Sequence, residues 1–146
     1  MTEINGWATD PAALEAFLAE PNLARVATID AHGEPHVVPV WYAWDAGRVL
    51  IGTDAADHKV DNLRRSGRAS VVIDSDLRRK RGILVRGRAT LVEGEAGRAL
   101  YLRISEQQVR RYLPDKPAAE VATRMASRGE PVVIAIEPGS IVSWGR

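Results

Sequence analysis

The segment Val37-Val38-Pro39-Val40-Trp41-Tyr42-Ala43-Trp44 is hydrophobic at every position. Pro35 before it and Asp45-Ala46-Gly47 after it bound it as one long strand, Pro35 to Trp44. An antiparallel strand with one wet face alternates apolar and polar side chains, so this run requires cover on both faces. One face would be a barrel interior. The other needs a helix, a ligand or a second subunit, and in a chain of 146 residues the expectation is a homodimer with a flat ligand near the seam.

The remaining elements fall around that strand. Asp10 and Pro11 suit the start of a helix with Leu14, Phe17 and Leu18 on one stripe. Leu23 to Asp30 reads as a strand, Ala31-His32-Gly33-Glu34 as a turn and Arg48 to Thr53 as a further strand. Asp57 is placed to cap a helix from His58 to Ser66, with Gly67 closing it. Strands follow at Ala69 to Asp74 and Ile83 to Glu93. In the latter, Ile83, Val85, Gly87, Ala89 and Leu91 face one way and Arg86, Arg88 and Thr90 the other. Glu95 to Leu113 predicts a helix with Ala99, Leu102 and Val109 on its apolar side, and Ala118 to Ser127 a second. A last strand pair, Val132 to Glu137 and Ile141 to Trp144, would turn at Pro138-Gly139. Hairpin-linked strands with singly inserted helices imply a mainly β (α+β) fold, an antiparallel barrel with peripheral helices, in one domain spanning residues 1–146.

Composition narrows the function. With 45% hydrophobic and 27% charged residues the chain is not disordered, and no apolar stretch is long enough to span a membrane. Met1 to Asp10 lacks the basic start of a secretory leader, so the expectation is a cytoplasmic protein. Cysteine is absent, which excludes disulfides, thiolate metal sites and cysteine nucleophiles. His32, His36 and His58 sit in a turn, a strand and a helix start, a poor pattern for a metal site, and none is expected. Residues 64–111 hold thirteen basic and five acidic side chains, whereas residues 1–63 hold three and ten. Such asymmetry fits either an anion site or a solvated surface. The basic block has few aromatics for base stacking, so a nucleic-acid partner is not expected.

The order of motifs resembles a known family. Leu23-Ala24-Arg25-Val26-Ala27-Thr28-Ile29 and Gly33 to Val40 are similar to the opening strands of the pyridoxamine phosphate oxidase-like split β-barrel proteins. Val49-Leu50-Ile51-Gly52-Thr53 followed by His58-Lys59-Val60-Asp61-Asn62-Leu63 resembles their phosphate-binding strand, loop and helix. Arg68 to Ile73 and Val85 to Ala89 are similar to their next two strands, and the tail from Ile141 also fits. The resemblance implies a six-stranded split barrel like that of FMN-binding proteins. Within the superfamily the chain resembles the flavin/deazaflavin oxidoreductases of the B group, whose usual cofactor is coenzyme F-420. Family members that oxidise vitamin B6 carry basic residues on the second strand, and Val37 to Trp44 carries none.

A ring-and-phosphate cofactor needs a flat apolar bed with backbone hydrogen bonds, which Val38, Pro39 and Val40 would offer, and cations at a helix start. His58 and Lys59 occupy such a start, with Gly52 and Thr53 at the preceding strand end; the resemblance assigns the phosphate to Lys59 first. Arg79 and Lys80, within the run Arg78 to Arg81, would either meet the oligoglutamate tail of F-420 or belong to a solvated loop, and Trp144 of the chain's tail completes the expected cofactor residues. The expected activity is hydride transfer between the deazaflavin and a small conjugated acceptor, with no dedicated catalytic side chain because solvent can deliver the proton. The alternatives are an FMN-dependent oxidoreductase on the same fold and a non-catalytic module for a cofactor or haem.

Overall fold

The computed structural model describes residues 2–76, 78 and 80–145. Asp10 accepts a hydrogen bond from the Ala12 N–H at 3.0 Å, and Pro11 opens helix α1 (Pro11–Leu18), whose Leu14, Phe17 and Leu18 are buried. Eight strands follow or flank it: β1 (Glu3–Asn5), β2 (Ala24–Ile29), β3 (Pro35–Val40), β4 (Ala43–Asp45), β5 (Arg48–Asp54), β6 (Arg68–Asp74), β7 (Gly82–Val92) and β8 (Pro131–Trp144). The other helices are α2 (His58–Ser66), α3 (Gly94–Tyr112) and α4 (Ala118–Ala126), besides a short 3-10 turn at Gly6–Thr9.

The strands form one sheet in the order β3-β2-β6-β7-β8-β5-β4, antiparallel throughout, with β1 added parallel to β8. It curls into a half-barrel with the helices outside, the split-barrel architecture the sequence implies. β2, β3, β5, β6 and β7 follow expected strands, with β3 shorter than expected; β4 takes up the end of the expected Pro35–Trp44 strand, β8 joins the two expected last strands into one, and the three-residue β1 is an addition. Inside the curl Val26, Val71, Ile73, Ile83, Val85 and Ile136 pack with Phe17 and Leu18. A second core lies on the outer side, where Ile104 of α3 and Ala126 of α4 cover Leu50 of β5 and Val133 and Ala135 of β8.

Several expectations are corrected. The long strand from Pro35 to Trp44 breaks after Val40, because Tyr42 turns into the core and donates its hydroxyl to the Leu18 carbonyl at 2.9 Å. Trp41 stacks on Tyr112 of α3 with ring centroids 5.0 Å apart. This end of the apolar run is therefore covered within the chain, and only Pro35, Val37 and Pro39 lie exposed. Pro138-Gly139 is no hairpin turn. β8 runs through it, with a register shift at Arg86/Gly87 that lets Gly87 face Pro138. A side chain at Gly87 would meet the Glu137 carbonyl oxygen at 1.9 Å, so the close crossing requires glycine. On α3 the buried face is Tyr101, Ile104, Ser105, Gln108 and Val109, while Ala99 is exposed, because the sheet lies on the side of these polar residues.

Candidate functional site

The exit of β5 is fixed by carboxylates. Asp54 accepts from the Ala56 N–H at 2.8 Å and from the Glu130 N–H at 3.0 Å, and the Ala55 N–H donates to the Glu130 carbonyl at 2.9 Å. These contacts tie the loop before α2 to the start of β8. Gly129 permits the approach: a Cβ there would lie 1.5 Å from Asp54 Oδ2.

Asp57 precedes α2 but does not cap it with its side chain, contrary to the sequence expectation. Its Oδ2 instead gathers the Thr53 hydroxyl, the Lys59 ammonium at 3.1 Å and the Asp54 N–H at 3.4 Å. Partial burial works to raise the Asp57 carboxyl, and the donors from Thr53, Lys59 and Asp54 outweigh it, holding the group below its ordinary range. The Lys59 side chain is only 11% exposed, whereas that of Asp57 is 46% exposed. At the far end of α2, Gly67 takes the left-handed conformation that closes the helix as expected.

Gly52, Thr53, Asp57 and Lys59 face Tyr101 and Arg128 across a cavity of about 470 Å³. The Tyr101 ring lies so near the sheet that a Cβ at Gly52 would approach it to 3.0 Å. Burial raises the Tyr101 phenol above its ordinary value, partly opposed by a hydrogen bond with Ser105. The cavity thus holds cationic and hydroxyl donors beside a half-exposed carboxylate, a set suited to an anionic group. At the first residue of α2, exposed His58 lies 6.4 Å from the ring of His36 on β3, and buried His36 Nδ1 has no hydrogen-bond partner among the described residues. Asn62 donates to Thr28 Oγ1 at 3.0 Å, holding α2 against β2 beneath this pair.

The other expected site residues are dispersed. Val38 and Val40 are half-buried against the barrel core and Pro39 points to the opposite, exposed side, so the three do not form one bed. Lys80 is exposed in the β6–β7 loop, and Arg79 lies outside the described residues. Arg81 turns inward, its guanidinium 4.1 Å from the centroid of the Trp7 ring, so the cation run does not all face outward. Trp144 is 41% exposed and ends β8 opposite Gly82. Because Asp54 pairs with Pro131 at the other end of β8, Trp144 and Lys80 lie away from Thr53 and Lys59. The separation along the strand is roughly 40 Å at ~3.3 Å per residue.

Sequence reasoning missed Tyr101 and Arg128, which lie 40 and more residues downstream and reach the Lys59 cavity only through the packing of α3 and α4 on the sheet. It also missed a second concavity on the outer sheet face, about 560 Å³, lined by Arg68, Arg86 and Arg88 with Ala27, Ile29 and Pro35. The outward alternation of Arg86 and Arg88 was legible, but not the pairing of Arg68 with Arg88.

Residues 10–138, nearly the whole half-barrel, match the family described as pyridoxamine 5'-phosphate oxidase. The chain belongs to that family. Solved structures of the pyridoxamine 5'-phosphate oxidase fold repeat its architecture. The conserved hypothetical protein Rv2991 from Mycobacterium tuberculosis is 25% identical, with a TM-score of 0.78 over 92% of this chain and 83% of that one. An F-420 reductase is 24% identical, with a TM-score of 0.65 over 87% and 94%. A pyridoxamine 5'-phosphate oxidase-related, FMN-binding protein from Nostoc punctiforme is 14% identical, with a TM-score of 0.67 over 92% and 82%. No curated protein matches the chain. Among the described residues no helix is long and apolar enough to cross a membrane.

Proposed function

We propose that this pyridoxamine 5'-phosphate oxidase family member is an oxidoreductase of the cytoplasm that works with the deazaflavin coenzyme F-420. Its cofactor phosphate would be held where β5 meets α2. The observation that carries this reading is Lys59, a nearly buried ammonium in the first turn of α2, beside Thr53 and facing a cavity that also holds Arg128. A lysine so enclosed, with one carboxylate as its partner among the described residues, has donors left for an anion. The unpartnered His36 Nδ1 beside His58 is a further polar group that fits a ligand edge.

When bound, F-420 supplies the hydride chemistry at its own ring carbon. The chain's residues bind and orient it: Thr53, His58 and Lys59 toward the phosphate, and the exposed loop cations, Lys80 among them, toward the oligoglutamate tail. No side chain of this chain is assigned the proton transfer. The uncharged β3 favours the deazaflavin over FMN, the second reading; proteins named for each cofactor share the fold. Exposed Ile29, Val37 and Pro39 on the outer face support a homodimer, and two copies offer a way to bring Lys80 and Trp144 of one to the Lys59 end of the other.

The test is a titration of the purified protein with F-420 and with FMN. Lys59→Ala should weaken both by about 1.5–3 kcal/mol, the worth of a charge-assisted hydrogen bond. Affinity unchanged for both ligands would remove Lys59 from the site. Arg79→Ser combined with Lys80→Ser should narrow the F-420 preference at low salt and spare FMN, since exposed charge pairs fade as salt rises. Equal loss for both ligands would refute a contact with the tail.

A further inference from the structure

Lys59 and Asp57 form an unequal pair. The lysine is enclosed, its side chain 11% exposed, and cannot leave without giving up its packing. The aspartate is 46% exposed and can swing to water. It also stands at the position before α2 where an aspartate ordinarily accepts from the second or third amide of the helix, yet its side chain makes no such bond. Its oxygen lies instead among Thr53, the Asp54 N–H and the Lys59 ammonium, the donors that would meet a ligand phosphate.

We propose that the Asp57 carboxylate is a built-in placeholder anion, holding the phosphate position at Lys59 and leaving it when a phosphate-bearing ligand enters. The inference rests on the reading of Lys59 as the phosphate residue and adds a regulator to that site. Two consequences follow from charge. While the carboxylate stays, Lys59 is neutralised and weak anions are turned away. When a dianion arrives, the half-exposed carboxylate is repelled toward water. Asp57 is thus a specificity residue: it lowers affinity for every phosphate and discriminates against ligands too weakly charged to displace it.

The experiment measures binding of inorganic phosphate, FMN and riboflavin, which lacks the phosphate, to wild type, Asp57→Asn, Lys59→Ala and the double variant. Asparagine keeps the size and an acceptor oxygen and removes only the charge. Asp57→Asn should bind phosphate and FMN about tenfold more tightly, the effect of removing one like charge next to the ligand, with riboflavin unchanged. The gain should vanish when Lys59→Ala is added. If Asp57→Asn does not fold, Asp57→Ser, a good residue before a helix, carries the same expectation. Unchanged or weaker phosphate binding in a folded Asp57 variant overturns the proposal, and so does an equal gain for riboflavin. Failure of the underlying reading looks different: Lys59→Ala would then bind phosphate as well as wild type. If Lys59→Ala loses affinity while Asp57→Asn gains none, the phosphate site stands and the placeholder does not.

Discussion

Val132–Ile136 of β8 and Pro35–Val40 of β3 are both stretches of strand rich in branched apolar residues, and they end in different surroundings. In β8 the residues from Val132 to Ile136 are at most 1% exposed, because the barrel interior takes one face and α3 with α4 the other. In β3 burial alternates, and Val37 is 63% exposed. β3 is also the edge of the sheet, where Pro35 and Pro39 remove donors that would invite another strand. An unbroken apolar strand therefore demands cover without saying which molecule supplies it. In β8 the chain's own helices do so; on β3 the proposed second copy would.

Four perturbations sharpen this contrast. Ile134→Ala should lose about 2–5 kcal/mol of unfolding free energy in denaturant titrations, the range for emptying a core site. Equal loss in Val37→Ala would show that β3 is as deeply covered in solution as β8. Tyr42→Phe tests the point where the β3 run dives inward. It removes the hydroxyl bonded to the Leu18 carbonyl and should lose about 1–3 kcal/mol, because a buried acceptor is left unsatisfied. Burial holds the Tyr42 phenol far above its ordinary value, opposed in part by Arg111, so its absorbance should stay that of the neutral ring into strong alkali until the fold opens. Val37→Lys should change single-chain stability by no more than about 0.5 kcal/mol. Sedimentation should nevertheless shift from dimer to monomer at micromolar concentration, and a wild type that is already monomeric would end the argument from β3.

The smallest effect concerns the turn that delivers β3 to the edge. Asp30 accepts from the Glu34 and His32 N–H groups, which hold its carboxyl below the ordinary 3.8. A lowered value means stability that is complete above that pH and is lost as acid protonates the group in the folded state. Asp30→Asn should therefore lose a little stability at neutral pH and none once acid has protonated the wild-type group, which flattens the acid limb of the stability curve. A steeper acid limb in the variant would contradict the sign.

Local chemistry was legible where a residue type dictates its own geometry. Asp10-Pro11, Gly67 and the tight turn at Ala46-Gly47, whose backbones both take positive φ, were readable from neighbours alone. The alternation of β7 was legible because one of its faces is wet. Two features were not. Glu3–Asn5 has no pattern that announces a strand, since its partner lies on β8. Asp57 looked like a helix cap because its neighbours suit one; the Thr53 and Lys59 side chains, brought together by the bend out of β5, take it elsewhere. Of the candidate site, the β5–α2 junction could be read, whereas Tyr101 and Arg128 depend on where α3 and α4 land.

β8 sits between β7 and β5 and also receives β1. The Trp7 indole even donates to the Trp144 carbonyl across 137 residues of chain. Hairpins such as β2–β3 and β6–β7 close short loops and can form early, but β8 unites distant segments and pays a larger loop-closure entropy. During refolding its arrival should come late. Until then β5 and β7 each keep a bare edge, so the yield of native protein should fall with concentration at that stage, however stable the finished barrel is.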